Sequence, residues 1–193
     1  MRFGLWLIFA TVACAQDWPL LDRQAEVAYT KGDLAGAIRV SKLAVALAGN
    51  AKQSGHSLDR LGFFQYTSGD LKTGETSLRQ AIEIRRTKIG EDTLDYAESA
   101  NDLALLCRDS EQLAEGKKLA EQSVAIRSRL LGARHPSVAE SLNTLGGINA
   151  FLGEYDQAIM NMEQALSIHE SQSPPEFNEE FGTLCINLAG TYQ

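Results

Sequence analysis

Apolar residues recur along this chain at intervals of three and four, in stretches parted by short polar turns that contain glycine. Val138 to Phe151 shows the pattern, with Leu142, Leu145, Gly146 and Asn149 on one helical stripe. After Gly153-Glu154, the stretch Asp156 to Glu170 carries a facing stripe of Ala158, Met162, Ala165 and Ile168. The spacing predicts a helix, a turn and a second helix. Gly69-Asp70 and Gly32-Asp33 hold the same turn in earlier parts of the chain, where glycine tolerates left-handed dihedrals.

A shift of 42 residues superimposes much of the sequence on itself. Tyr96-Ala97-Glu98-Ser99-Ala100-Asn101-Asp102-Leu103 then lies over Val138-Ala139-Glu140-Ser141-Leu142-Asn143-Thr144-Leu145. Other columns agree across copies: Leu61, Leu103 and Leu145; Gly62, Ala104 and Gly146; Gly74, Gly116 and Ala158; Ala81, Ser123 and Ala165; Ile84, Ile126 and Ile168. An ordinary amphipathic bundle shares an apolar period but not small residues in fixed columns. Small residues recur where two helix backbones approach closely, so these columns predict one helix-helix contact made repeatedly. The expected organisation is a diverged repeat over about 20–54, then repeats over 55–96, 97–138 and 139–181, and a partial fifth over 182–193.

The pattern resembles the tetratricopeptide repeat. The family's large-x-x-Leu-Gly-x-x-Tyr, followed by Ala, a bulky residue and Ala, reads here as Leu142, Leu145-Gly146, Asn149, Ala158, Met162 and Ala165. An earlier copy gives Leu58, Leu61-Gly62, Gln65, Gly74, Leu78 and Ala81, and the family's usual Trp and Tyr are replaced. The 42-residue spacing and the linker Leu131-Gly132-Ala133-Arg134-His135-Pro136 are similar to the kinesin light chain variety, over nearly the whole of residues 16–193. The resemblance implies an all-α fold, a right-handed superhelical solenoid of antiparallel helix pairs. It also implies a scaffold that binds proteins or peptides on its concave surface and performs no chemistry.

Composition supports the helical reading, since the apolar content leans on Ala and Leu, and only four prolines interrupt the chain. The net charge of −7 repels phosphate backbones, which makes nucleic acid and anionic membranes poor partners. The first residues differ from the rest: Arg2, an apolar run from Phe3 to Val12, then Ala13-Cys14-Ala15 in the small-x-small form of a cleavage site. A signal peptide over 1–15 and an exported mature chain are expected, periplasmic or secreted. An uncleaved anchor and lipidation at Cys14 stay open beside it. In an oxidising compartment Cys107 and Cys185 stand nearly two repeats apart, so each is expected as a small buried apolar residue rather than half of a disulfide. The chain stops at Gln193, inside the first helix of the fifth copy. A solenoid ordinarily ends in a polar cap. The sequence therefore also reads as the N-terminal interaction region of a longer protein, or as a solenoid whose end face stacks on a second copy.

No catalytic constellation stands out. His135 belongs to the repeat linker, His169 shares a column with Arg85 and Arg127, and His56 is expected at a helix start. None of the three has a metal-spaced partner, neither Cys107 nor Cys185 has a CxxC neighbour, and the glycines follow the repeat rather than a phosphate loop. No cofactor and no metal are expected.

Removing the core columns from each first helix leaves a second stripe at i, i+4, i+7. It holds Asp59, Phe63 and Tyr66 in one copy and Glu98, Asn101, Leu105 and Arg108 in the next, with Asp102 alongside. In the following copy it holds Glu140, Asn143, Gly147 and Ala150, with Phe151 beside them. The column Asp22, Asp59, Asn101, Asn143 is the sharpest of these, because an amide both donates to and accepts from a peptide backbone. The resemblance implies that use for asparagines of the Leu-Asn-x-Leu segment. Acidic residues outnumber basic ones on this face, so neutral to mildly basic segments are the expected partners, with Phe63, Tyr66 and Phe151 as apolar anchors.

Overall fold

The computed structural model describes residues 3–171 and 190–191, with side chains from Asp17 onward. The described residues form eight helices and no strand. Four of them, α1 (Phe3–Thr30), α2 (Leu34–Leu47), α3 (Ala51–Thr67) and α4 (Leu71–Lys88), belong to a compact unit spanning Met1–Glu91. The other four, α5 (Leu94–Asp109), α6 (Leu113–Leu131), α7 (Pro136–Phe151) and α8 (Tyr155–Ser171), belong to a second unit, Asp92–Gln193. Within each unit, consecutive helices pack as pairs: α1 with α2, α3 with α4, α5 with α6, and α7 with α8. The expected fifth copy, with Gly182, Cys185, Leu188 and Tyr192, lies outside the described residues apart from Gly190 and Thr191.

The turn inside each pair is the same structure four times. In the first, Asp33 N–H reaches back to the Ala28 carbonyl and Gly32 N–H to Tyr29; Asp70 and Gly69, Gln112 and Glu111, and Glu154 and Gly153 repeat this. The inner residue of each motif is left-handed, at φ 79° for Gly32, 84° for Gly69, 60° for Glu111 and 75° for Gly153. Glu111 thus sits where the other copies place glycine, at a cost of about 1 kcal/mol. The next helix starts immediately, capped by Asp33 through Gly36 N–H at 2.8 Å and by Asp70 through Thr73 N–H at 3.2 Å. Hydrogen bonds from the Thr73 side chain and backbone hold the Asp70 carboxyl below its ordinary pKa.

Two helix starts differ from the sequence expectation. Helix α3 begins at Ala51, where Asn50 caps it through Gln53 N–H at 3.0 Å, so His56 stands inside the helix rather than at its start. Helix α7 begins at Pro136, two residues before Val138, because His135 Nδ1 accepts from Ser137 N–H at 3.2 Å and proline suits the first helical position.

The small-residue columns are where the paired helices touch. A Cβ built on Gly62 would lie 2.6 Å from Leu78 Cγ and 3.1 Å from the Gly74 carbonyl oxygen. The same contact recurs between Gly116 and the Ala104 carbonyl at 3.2 Å, and between Gly146 and the Ala158 carbonyl at 3.2 Å. Around it the large side chains fill in: Val138, Ala139 and Leu142 of α7 cluster with Met162, Ala165 and Ile168 of α8. Ser123 takes an alanine column without a polar penalty, since its hydroxyl donates to the Ala97 carbonyl at 2.8 Å. Cys107 is a buried thiol beside Gly116.

Adding one methyl to these glycines tests the contact. Alanine gains about 1 kcal/mol of helix propensity over glycine, while overpacking costs about 1–3 kcal/mol. Gly62→Ala meets the branch point of Leu78 and should come out net destabilising by about 1 kcal/mol or more. Gly146→Ala meets Met162 2.7 Å away at Cγ, near the root of a buried side chain, and should also be destabilising, but by less than Gly62→Ala because an unbranched thioether repacks more readily than leucine. Urea denaturation followed by circular dichroism reads the difference; equal effects would show that the two contacts are not distinguished by their neighbours.

Candidate functional site

In the first unit, α1 and α3 lie side by side and their facing stripes satisfy one another. Trp18 Nε1 donates to Ser57 Oγ at 2.8 Å, and its indole meets the His56 ring edge-on at 5.8 Å. His56 Nε2 lies 3.0 Å from Asp22 Oδ1, Arg60 Nε lies 3.4 Å from the same oxygen, and Arg60 also pairs with Glu26. The Arg60 guanidinium covers Phe64 at 5.6 Å. Farther along, Tyr29 stacks on Phe64 at 5.0 Å and meets Phe63 edge-on at 5.6 Å. Tyr66 is half-buried on the same helix.

Asp59 belongs to a different arrangement. It is 4% exposed and pairs with Arg85, which is 1% exposed and reaches back from the end of α4 across Gly55. The column Arg85, Arg127, His169 is buried in all three copies. Arg127 makes a corresponding interior contact toward the next helix: its Nη1 donates to the Ser137 carbonyl at 2.7 Å, Glu140 Oε2 at 3.0 Å and Ser141 Oγ at 3.0 Å. The sequence placed this column in the framework, but the side chains it would engage were not legible from spacing.

In the second unit the stripe is more open. On α5, Glu98 is exposed, Asp102 and Leu105 are half-buried, and Asn101 is 6% exposed. Asn101 Oδ1 has no hydrogen-bond partner among the described residues. Asn149 Oδ1 is a second such acceptor, on the core stripe of α7. On α7, Glu140 is held by Arg127 and Asn143 is half-buried. The structure brings Arg108 and Phe151 together in one pocket of about 360 Å³, with Gly147, Ala150, Tyr155, Met162, Gly190 and Thr191, and Thr191 Oγ1 lies 3.8 Å from Met162 Sδ. Phe151 is 67% exposed and Tyr155 57%, on either side of the Gly153 turn, while Met162 lies buried at the pocket floor. Glu98, Asn101, Asp102, Leu105, Glu140 and Asn143 lie on the same two helices outside that pocket. Tyr155 was missed by sequence reasoning because its column holds the half-buried Leu71 and Leu113 in the earlier copies. Trp18 was findable, one helical turn before Asp22 on the same stripe.

The charge on this face is largely spent internally. Asp22 and Glu26 share Arg60, Asp59 is matched by Arg85, Asp109 by Arg108 at 2.7 Å, and Glu140 by Arg127. Among the described residues no group of three or more His, Cys, Asp or Glu lies close enough to hold a metal ion. No helix among them is long and apolar enough to cross a membrane.

Each of the four helix pairs is closed by the same left-handed turn, with small residues where its two helices cross. The tetratricopeptide repeat model matches residues 100–171, which cover α5 from its second turn through α8. This is a tetratricopeptide-repeat fold. Among solved structures, the repeats are similar to BtubC (BKLC) from P. vanneervenii, with a TM-score of 0.76 at 16% identity, covering 94% of this chain and 81% of that one. They are also similar to the nearly identical TPR-like repeats of a putative kinesin light chain from Podosopora anserina, with a TM-score of 0.73 at 20% identity, covering 91% of this chain and 85% of that one. No protein with a curated description matches the sequence.

The Asp59–Arg85 pair carries a sharp expectation. Removing one partner of a buried ion pair costs about 3–5 kcal/mol, because the other charge is left uncompensated. Asp59→Leu should therefore destabilise the chain by about that much. The double change Asp59→Leu/Arg85→Met should recover most of it, since a packed apolar pair is an adequate replacement. A double variant no better than the single one, measured by chemical denaturation, would mean that Arg85 matters for something other than its pairing with Asp59.

Proposed function

We propose that this protein is a non-catalytic scaffold that holds an extended peptide segment of a partner against the open faces of α5 and α7. The tetratricopeptide fold itself suggests protein interaction. The observation that carries the finer reading is Asn101, whose Oδ1 has no partner among the described residues and whose side chain, 6% exposed, has to turn outward to meet a peptide. Leaving such an atom unsatisfied costs about 1–3 kcal/mol, which an incoming peptide N–H would recover. Asn143 follows one repeat later in the same column, and Glu98, Asp102, Leu105 and Arg108 flank the path. In the first unit the equivalent face is occupied by its own side chains, including Phe63, which favours the second unit as the binding surface. Internal pairing of most acidic residues on this face favours a neutral segment over a basic one.

The test is selection from a display library of unstructured peptides on the chain, repeated on an Asn101→Leu/Asn143→Leu variant of equal helicity. Two lost hydrogen bonds of about 1 kcal/mol each should weaken selected peptides by about tenfold or more. Equal affinity for both forms would move binding off this face.

We propose further that the protein acts outside the cytoplasm after removal of residues 1–15. Ala13-Cys14-Ala15 supplies the small-x-small motif, and the contacts from α1 to α3 include Trp18, three residues past the cut. Pro19 has no N–H to give to the Ala15 carbonyl, so helical hydrogen bonding lapses at the peptide bond to be cut. The intact mass of the protein recovered from its source should match residues 16–193. A mass that still includes Met1–Ala15 would refute cleavage, and a lipid adduct on Cys14 would replace it with anchoring.

A further inference from the structure

The first helix of a pair needs an acceptor for its free N–H groups, and α7 takes a different kind from its counterparts. Asn50 caps α3 with an amide oxygen and Thr93 caps α5 with a hydroxyl, neither of which titrates. His135 caps α7 with a ring nitrogen, Nδ1, which accepts from Ser137 N–H at 3.2 Å. The linker fixes this arrangement. His135 N–H donates to the Gly132 carbonyl at 3.1 Å, and Pro136 keeps His135 extended at φ −76° and ψ 141°, as a cap requires. A nitrogen that accepts a hydrogen bond carries no proton, so the capping imidazole is the neutral ring with its proton on Nε2.

Protonation removes the cap in two ways. An imidazolium donates from both nitrogens, so Nδ1 can no longer accept from Ser137. It also sets a positive charge at the positive end of the α7 dipole. The charges around this end of the unit do little to offset that. Arg127 and Arg129 of α6, Arg134 of the linker and the titratable His169 of α8 stand on the cationic side. Glu140 of α7, Asp92 and Asp95 at the start of α5, and Glu170 of α8 stand on the acidic side. Glu140 is taken by Arg127 and Asp92 by Arg129, and among the described residues no carboxylate pairs with His135.

The turn held by this cap is part of the packed structure. The Ser137 carbonyl accepts from Arg127 Nη1 at 2.7 Å and from the Ser141 hydroxyl at 3.2 Å. Val138 and Ala139 follow at once, buried with Met162, Ala165 and Ile168. Fraying here loosens the seat of α7 just ahead of Asn143.

We propose that His135 is an acid-sensitive cap: on taking up a proton it releases the first turn of α7 and weakens the face that α7 shares with α5. The release stands on the geometry of the linker. Its effect on a partner rests on the reading of the α5–α7 face as a peptide groove. A proton that only the uncapped ring can hold on Nδ1 favours the uncapped form, so the cap's stabilisation is present while the ring is neutral and is lost in acid.

The experiment compares the full chain with His135→Ala, which removes the cap, and His135→Asn, which keeps an acceptor that does not titrate, by urea denaturation at about pH 8 and about pH 5. At the higher pH His135→Ala should raise the unfolding equilibrium constant about fivefold, the usual loss for a cap, and His135→Asn should leave it within about twofold. At the lower pH the deficit of His135→Ala should vanish or reverse, and His135→Asn should be more stable than the unaltered chain. In NMR of the labelled chain, the Ser137 amide should shift together with the His135 ring as acid is added, and should stay fixed in His135→Asn. An equal His135→Ala deficit at both pH values, a His135→Asn chain that loses as much stability in acid as the unaltered one, or a Ser137 amide indifferent to the ring would each overturn the cap. Peptides selected on the α5–α7 face should bind the unaltered chain about two- to fivefold more weakly at the lower pH, and His135→Asn equally at both. A cap that titrates while peptide affinity stays constant would overturn its coupling to the face. Failure to select any peptide would sink the groove reading, with denaturation and NMR still deciding the cap.

Discussion

Everything in this fold follows from how closely two helices of a pair can approach. At Gly62 against the Gly74 carbonyl, Ala104 against Gly116, and Gly146 against the Ala158 carbonyl, backbone lies nearly on backbone. That distance leaves room for one large side chain beside the contact: Leu78 and Met162 take it at Gly62 and Gly146, and Ile148 of α7 reaches in at Gly116. Widening the crossing would open cavities along the pair, and close packing makes such gaps costly. The left-handed turn is the companion constraint. It reverses the chain in the few residues available, and it is satisfied even at Glu111, where the side chain makes it unfavourable.

Once the first helices of successive pairs are neighbours, the residues on their facing stripes decide what the surface can do. In the first unit they were spent on one another. Trp18 meets Ser57, Asp22 His56, Glu26 Arg60 and Tyr29 Phe63 between α1 and α3. In the second unit Gly147 and Ala150 stand where larger residues stand before, and among the described residues the surface has a hollow beside them and an amide oxygen without a partner. The same scaffold thus presents a filled face and an open one, and the difference is a handful of side-chain sizes.

The helix pairs, their turns and the close-contact columns were legible in the sequence because each depends on residue size at a fixed spacing. The stripe carrying Asn101, Arg108, Asn143 and Phe151 was read from helical spacing, which did not convey that Asn101 would be 6% exposed. What spacing could not convey was the choice of partner across helices. Asp59 read as a groove residue like Asn101, yet it is paired in the interior because Arg85 of the following helix can reach it over Gly55. Helix α7 likewise begins earlier than the apolar stripe suggests, because His135 and Pro136 cap it. Tyr155 became part of a pocket because the hollow beside Gly147 exists, which no property of Tyr155 itself announces.

The buried arginine at the end of α6 has a consequence for how such an array can grow or shrink. Arg127 spends its hydrogen bonds on Ser137, Glu140 and Ser141, residues of the helix that follows rather than of its own pair. A pair duplicated or transplanted behind α6 would have to bring matching acceptors, or strand a cation in the interior. In this region the joint between α6 and α7 is therefore as much a structural unit as either helix pair.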